Sequence, residues 1–259
     1  MKKILVCLVV VFAISSCVMK EKMMINEDGS GSFSYGFDMA GIFKMGFKSN
    51  DSLKKQQVLD TVFTFKEVFA KLKDSIAKLP QADKEKIKML ENFKVIVKAN
   101  EKEKQLKFDM EYNFPSIDSL KNMISPLEGL EAMPKLGPGK QLGALNAIPE
   151  EEKTRTRFSY SYDGKVFEKK VLIPEGGKKA NKVKKKKEKN PENDFSKKMD
   201  EIFKECKYSI EYHFPKKIKS VSLKNAVIAN DKKSFTLEIP MQDFPDDEEK
   251  LGFKVLFEN

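Results

Sequence analysis

Two segments of this chain can shelter their apolar side chains only as strands with one buried face. Phe108, Met110, Tyr112 and Phe114 alternate with Asp109, Glu111 and Asn113, and Tyr208, Ile210, Tyr212 and Phe214 alternate with Ser209, Glu211 and His213. A period of two places each apolar set on one side of a pleated strand, and that side needs a second layer over it. Each segment ends in Phe-Pro, and Ser-Leu-Lys-Asn follows at Ser119 and again at Ser222. The echo fits two related halves or two similar solutions for a sheet.

Hairpin signals surround these strands. Asp28-Gly29 separates Met23-Met24-Ile25 from Phe33-Ser34-Tyr35-Gly36-Phe37, and Asp163-Gly164 separates Phe158 to Tyr162 from Val166-Phe167, with Val171-Leu172-Ile173 beyond. Asp-Gly between apolar runs marks a tight turn because the turn requires positive φ. Val58, Val62, Phe65, Phe69, Leu72, Ile76 and Leu79 recur at spacings of four and three, which predicts one long helix from a cap at Asn50 or Asp51 to the stop at Pro80. That stripe suits packing on the chain's own sheet or on a partner helix. Shorter helices are expected over 84–92, 117–133 and 194–206. The fold class predicted is therefore α+β, an antiparallel or mixed sheet built from hairpins and packed by one long and several shorter helices. Residues 23–173 form the first α+β region, 174–193 a Lys-rich linker, and 194–259 a C-terminal α+β region that belongs to one domain with 23–173.

The N-terminus constrains location. Lys2 and Lys3 precede an apolar run from Ile4 to Ile14, followed by Ser15-Ser16-Cys17. The run is about 17 Å long as a helix, against about 30 Å of hydrocarbon, so it reads as a removable signal over 1–16 and not as a membrane span. Ile14-Ser15-Ser16-Cys17 looks like a bacterial lipobox, which makes Cys17 the lipidation site, carrying palmitate-type acyl chains, and residues 17–22 a lipidated tether. Val18 follows in place of the aspartate that retains lipoproteins at the inner membrane, and Lys20-Glu21-Lys22 partly resembles a surface-export signal. The expected location is the outer membrane of the cell envelope, on its periplasmic face or the cell surface. Cys7 leaves with the signal and Cys17 carries lipid, which leaves Cys206 as a small buried hydrophobe and no intramolecular disulfide.

The formal net charge is +10, and eight lysines against one glutamate between Lys178 and Lys189 supply +7 of it. The excess is local, so nucleic acid is excluded as a partner; the block is a solvated linker or a contact for anionic headgroups. Catalytic chemistry finds little support. His213 is the one histidine of the chain, on a strand face with Ser209 and Glu211, and no nucleophile motif surrounds it. Zinc lacks ligands. Asn26, Asp28, Ser30 and Gly31 occupy early places of a calcium loop, but Phe37 stands where the bidentate Glu belongs. Gly29-Ser30-Gly31 lacks the rest of a phosphate loop, and Asp246-Asp247-Glu248-Glu249 reads as a helix start. No cofactor, metal or catalytic residue is assigned, and the chain is not expected to be an enzyme; a hydrolase would need two acids facing across a cleft.

Ile25-Asn26-Glu27-Asp28-Gly29-Ser30-Gly31, with Phe214-Pro215-Lys216-Lys217-Ile218, Ala226-Val227-Ile228 and Lys233-Ser234-Phe235-Thr236-Leu237, resembles the LppM-type domain of bacterial envelope lipoproteins. The resemblance covers both ends of the mature chain and leaves out its middle. It implies an α/β envelope domain that handles a lipid or glycolipid, and it carries over no catalytic residue. Two readings follow. In one, a non-enzymatic lipoprotein held in the membrane through Cys17 binds an amphiphile in an apolar cavity whose residues are not identified. In the other, it is an adaptor that docks an envelope protein through the amphipathic helix or the Lys-rich linker.

Overall fold

The computed structural model describes residues 17–38, 40, 58–100, 102–121, 123–124, 157–172, 205–243 and 251–258. The Lys-rich linker, the signal segment and the acidic run at 246–249 lie outside them. Among the described residues thirteen strands form two sheets. The larger sheet contains β1 (Val18–Ile25), β2 (Gly31–Asp38), β3 (Val58–Thr64), β4 (Lys94–Asn100), β5 (Gln105–Phe114), β9 (Lys207–His213), β11 (Val227–Ile228) and β12 (Ser234–Pro240), in the order β11-β12-β9-β1-β2-β5-β4-β3. The smaller contains β6 (Met123–Ile124), β7 (Arg157–Tyr162), β8 (Val166–Leu172), β10 (Ile218–Val221) and β13 (Phe253–Phe257), in the order β10-β13-β8-β7-β6. All neighbours are antiparallel except β1 and β9, which run parallel with Val18 opposite Lys207. That parallel pair puts the first described strand beside one that comes nearly two hundred residues later in the chain, in the middle of one sheet.

The alternating segments form β5 and β9, and they flank the β1–β2 hairpin on its two sides. Their apolar faces meet the smaller sheet. Phe33 lies 6.3 Å from Tyr160, Phe167 lies 5.6 Å from Tyr212 and 5.2 Å from Phe214, and Phe253 lies 5.4 Å from Tyr212 and 5.6 Å from Phe235. Tilted and edge-on rings fill the interlayer space without stacking penalties. Burying each such Phe contributes about 1.5–3 kcal/mol.

The long helix is a correction. The first described part of it is β3, an outer strand paired with β4, residues 50–57 lying outside the described ones, and the expected α+β arrangement gives way to a mostly β fold with short helices. Among the described residues the helices are α1 (Phe65–Lys71), α2 (Lys73–Ala77) and α3 (Gln81–Leu90), all between β3 and β4. Val58 and Val62 are 58% and 56% exposed on the outside of β3, while Phe65 and Phe69 of the same apparent stripe are buried. The physical reason is local. Thr61, Val62 and Thr64 are β-branched and suit a strand. Thr64 Oγ1 then accepts from the Glu67 backbone N–H at 3.3 Å, and Glu67 Oε2 accepts from the Thr64 N–H at 3.1 Å, so a capping box starts a helix only at Phe65, well inside the supposed one. The helix expected over 117–133 is, in its described part, a 3-10 turn at Ile117–Leu120 followed by β6.

Because Val58 and Val62 lie outside the core, replacing both with Thr should change stability by no more than about 0.5 kcal/mol. Phe69→Ala should cost about 3–5 kcal/mol. Urea unfolding of the three proteins checks this, and a large loss for the valine pair would restore the single-helix arrangement.

Candidate functional site

In β1, Met19, Glu21, Met23 and Ile25 share the inward face and Lys20 and Lys22 the outward one. Glu21 therefore enters the core, only 4% exposed, although it lies in the segment expected as a tether. On β8, Phe167 and Lys169 point inward from the other layer, and Lys169 is 2% exposed. Lys169 Nζ donates to Glu21 Oε1 at 2.7 Å and to Oε2 at 3.0 Å. The hydroxyls of Tyr208 and Tyr212, from β9, donate to the two oxygens of the same carboxylate. Above the ammonium lies the Phe158 ring at 4.5 Å, with Tyr160 and Phe253 at 5.9 and 6.0 Å. The aromatic faces add cation–π attraction in a dry site.

Burial by itself would raise the Glu21 carboxyl, but the Lys169 charge and the donated bonds from Lys169, Tyr208 and Tyr212 outweigh it and hold the group below its ordinary value. Burial, followed by the Glu21 charge, pushes the hydroxyls of Tyr35, Tyr160, Tyr208 and Tyr212 upward, so they remain donors at neutral pH. A perturbed cluster of this kind is a common mark of an active site. Here both carboxylate oxygens are occupied by protein donors and the groups are sealed between two layers. The arrangement can clamp the sheets together, and it presents no open position to a substrate.

A second constellation lies at the base of β1. Cys17 and Cys206 face each other across the start of the parallel β1–β9 pair, with Lys207 N–H donating to the Cys17 carbonyl at 3.0 Å and the Cα atoms 4.4 Å apart. Their sulfurs are joined in a disulfide, and both residues are buried. This corrects the expectation that no intramolecular disulfide forms and that Cys206 acts only as a small hydrophobe. That expectation removed Cys17 from pairing by assigning its sulfur to lipid, whereas the strand register brings the two cysteines together. A lipid thioether and this disulfide use the same Cys17 Sγ and exclude each other in one molecule.

A third feature lies at the opposite end of β1. An open groove of about 500 Å³ has Met24, Gly31, Phe114 and Pro115 as its apolar surface and Asn26, Ser30, Ser32 and Asn113 as its polar rim. Gly31 is needed there, since a Cβ would stand 2.0 Å from the Met24 carbonyl oxygen and 2.5 Å from the Phe114 ring. The residues weighed for calcium form the adjoining turn. Asp28 Oδ1 accepts from the Ser30 N–H at 2.9 Å and from the Ser30 hydroxyl at 2.6 Å, and Asn26 Nδ2 donates to Ser30 Oγ at 3.0 Å. His213 stands on the outer face of β9 against Glu211, 2.9 Å away, and Glu211 also pairs with Lys22 at 2.6 Å. Among the described residues no three of His, Cys, Asp and Glu gather as metal ligands, and no helix is long and apolar enough to cross a membrane.

Sequence reading missed Glu21 and Lys169 as a pair. The signal was present, because each falls on the apolar phase of its strand, between Met19 and Met23 and between Phe167 and Val171.

The chain matches no protein-family model and no curated protein. The NMR structure of the Mycobacterium tuberculosis LppM folded domain is similar over 93% of this chain and 89% of that chain, at 6% sequence identity and a TM-score of 0.34. That is a weak structural relation, and it decides neither fold nor ligand.

Glu21→Gln should destabilise the protein by about 3–5 kcal/mol at neutral pH, because Lys169 loses the carboxylate it pairs with in the core. Replacing both Glu21 and Lys169 with Met should recover most of that loss. Since the folded carboxyl sits below its ordinary value, its contribution is complete above the range where the unfolded carboxyl titrates, and it is lost as pH falls through the folded value. Glu21→Gln should therefore flatten the acid limb of a stability–pH curve measured by denaturant unfolding. An unchanged acid limb would show that the pair does not govern it.

Proposed function

We propose that this chain is a non-enzymatic lipoprotein of the bacterial cell envelope, anchored in the outer membrane through acylated Cys17, and that its β domain binds an amphiphile in the open groove. The observation that carries the binding reading is the groove itself. It is shallow and largely open to solvent, so a ligand would lie along it with one side exposed. Met24, Phe114 and Pro115 offer an apolar bed, and the rim offers only neutral amide and hydroxyl groups. An uncharged polar head on an apolar tail suits that lining better than an ionised one does.

An internal cavity is a poorer candidate. The space between the sheets holds the aromatic rings and the clamped Glu21–Lys169 pair, so a ligand there would have to displace packed rings or separate the two charges. The anchor reading rests on the order of charge, apolar run, small residues and Cys17 in the sequence. Cys17 is buried in the folded domain, so acylation of its sulfur has to precede folding, and the acylated chain then cannot close the bond to Cys206.

A second reading is favoured by β3. It is the terminal strand of the larger sheet and exposes Val58 and Val62, features that suit docking of an envelope protein against this edge.

Native mass spectrometry with lipid extraction, on the full chain exported in an envelope-bearing host, tests the binding reading. The expected result is one non-covalently bound neutral-headed amphiphile, with Met24→Lys weakening binding by at least about tenfold, or ~1.4 kcal/mol. Protein that is empty and takes up no added envelope lipid would shift the reading to the adaptor. Intact mass of the same sample should show acyl chains on Cys17, and Cys17→Ser should release the protein from membranes. A mature chain whose Cys17 is bonded to Cys206 and carries no lipid would overturn the anchor.

A further inference from the structure

We infer that the end of the larger sheet from which β1 starts rests flush on the bilayer headgroups, with the Lys102–Lys104 turn as its contact and the groove facing away from that membrane. The inference rests on the proposed acylation of Cys17 and adds the orientation of the domain.

Its basis is the missing leash. The Cys17 carbonyl already accepts from Lys207 N–H at 3.0 Å, and Val18, the next residue, is paired on both sides, with Asp38 and with Lys207. A lipid on Cys17 is thus joined to the middle of an eight-stranded sheet with no free residue between them. The Cys17 side chain lies on the interlayer face of that sheet, as do Met19, Glu21 and Met23, so acyl chains leave from the base of the two-layer core.

The register shows what else lies at this level. Asp38 stands opposite Lys107, and Lys107 opposite Lys98. Strands β4 and β5 continue two residues further to Asn100 and Gln105, about 7 Å lower, before they turn. In that turn Asn100 Oδ1 accepts from the N–H groups of Lys102 and Glu103 at 3.1 and 3.2 Å, and Lys104 takes a φ of 51°. Lys107 pairs with Asp38 and Lys98 with Asp60. Among the described residues Lys102 and Lys104 pair with no carboxylate, and both are exposed with Glu103 between them, so the described turn carries a net charge of +1 and its two ammonium groups are available to phosphate headgroups. Met24 lies seven residues up β1 from Cys17, roughly 23 Å at strand rise, which lifts the groove clear of the surface that holds the anchor.

The test uses native lysines. Lipidated full chain, its acyl mass confirmed, is reconstituted in vesicles of phosphatidylethanolamine and phosphatidylglycerol and treated with a membrane-impermeant amine-acetylating reagent. The non-lipidated Cys17→Ser protein is the reference. Lys102 and Lys104 should be acetylated several-fold more slowly on vesicles, and Lys165 and Lys216, at the far end, at unchanged rates. A flexible Gly-Ser insertion between Cys17 and Val18 should remove the protection. Equal rates for all four lysines on a chain that does carry lipid would overturn the orientation and leave the anchor standing, as would protection that survives the insertion. A chain without acyl mass would remove the anchor and this inference together.

Discussion

The alignment of the two sheets depends on one ion pair that neither could bury alone. Glu21 comes from the larger sheet and Lys169 from the smaller, and each is almost fully removed from water. An isolated charge in such a place costs several kcal/mol, and the pair persists because two tyrosine hydroxyls complete the carboxylate and aromatic faces cover the ammonium. Geometry follows from that satisfaction. A one-residue slip of β8 would turn Lys169 to the outer face and leave Glu21 unpaired in the core. The surrounding Phe and Tyr rings are tolerant of small shifts by comparison, since apolar packing is not directional. The pair thus aligns the layers, and the aromatic core supplies most of the burial that holds them together.

A single strand then organises the molecule. β1 carries Cys17 immediately before its first residue, Glu21 near its middle and Met24 near its end, so disulfide, clamp and groove lie along one line of backbone. β1 is also the strand that pairs in parallel with β9, which brings Cys206, Tyr208 and Tyr212 to it from nearly two hundred residues away in the chain. The interior is committed to the clamp and to the aromatic packing around it. The disulfide occupies the Cys17 sulfur, so the proposed acylation and this bond exclude each other in one molecule.

Much of the sheet was legible in the chain. The Asp28-Gly29 and Asp163-Gly164 turns lie where positive φ is needed, with Gly29 at 81° and Gly164 at 80°, and the alternating segments ending at Phe114 and Phe214 are strands with their aromatic faces inward. The long stripe misled because spacings of four and three are satisfied by apolar residues for unrelated reasons. Val58 and Val62 belong to the outside of an outer strand, and Phe65 and Phe69 to a short helix that caps itself at Thr64. Thr64 to Glu67 already had the pattern of a capping box, and β-branched residues before it favoured a strand. Glu21 was legible in another sense. A carboxylate on the apolar phase of a strand needs a buried partner, though its strand alone does not say which.

By itself, the sequence determined the local periods, the two tight turns, the confinement of excess positive charge to one short block, and the order of residues that marks Cys17. These are properties of neighbours, set by backbone sterics and side-chain spacing over a few residues. Only the tertiary structure decided that β1 lies beside β9, that Glu21 meets Lys169, that Cys17 meets Cys206 and that Met24 and Phe114 share a groove. Each of those joins residues far apart in the chain, and what selects them is the cost of leaving a charge, a thiol or an apolar face without its complement once two sheets have closed on each other.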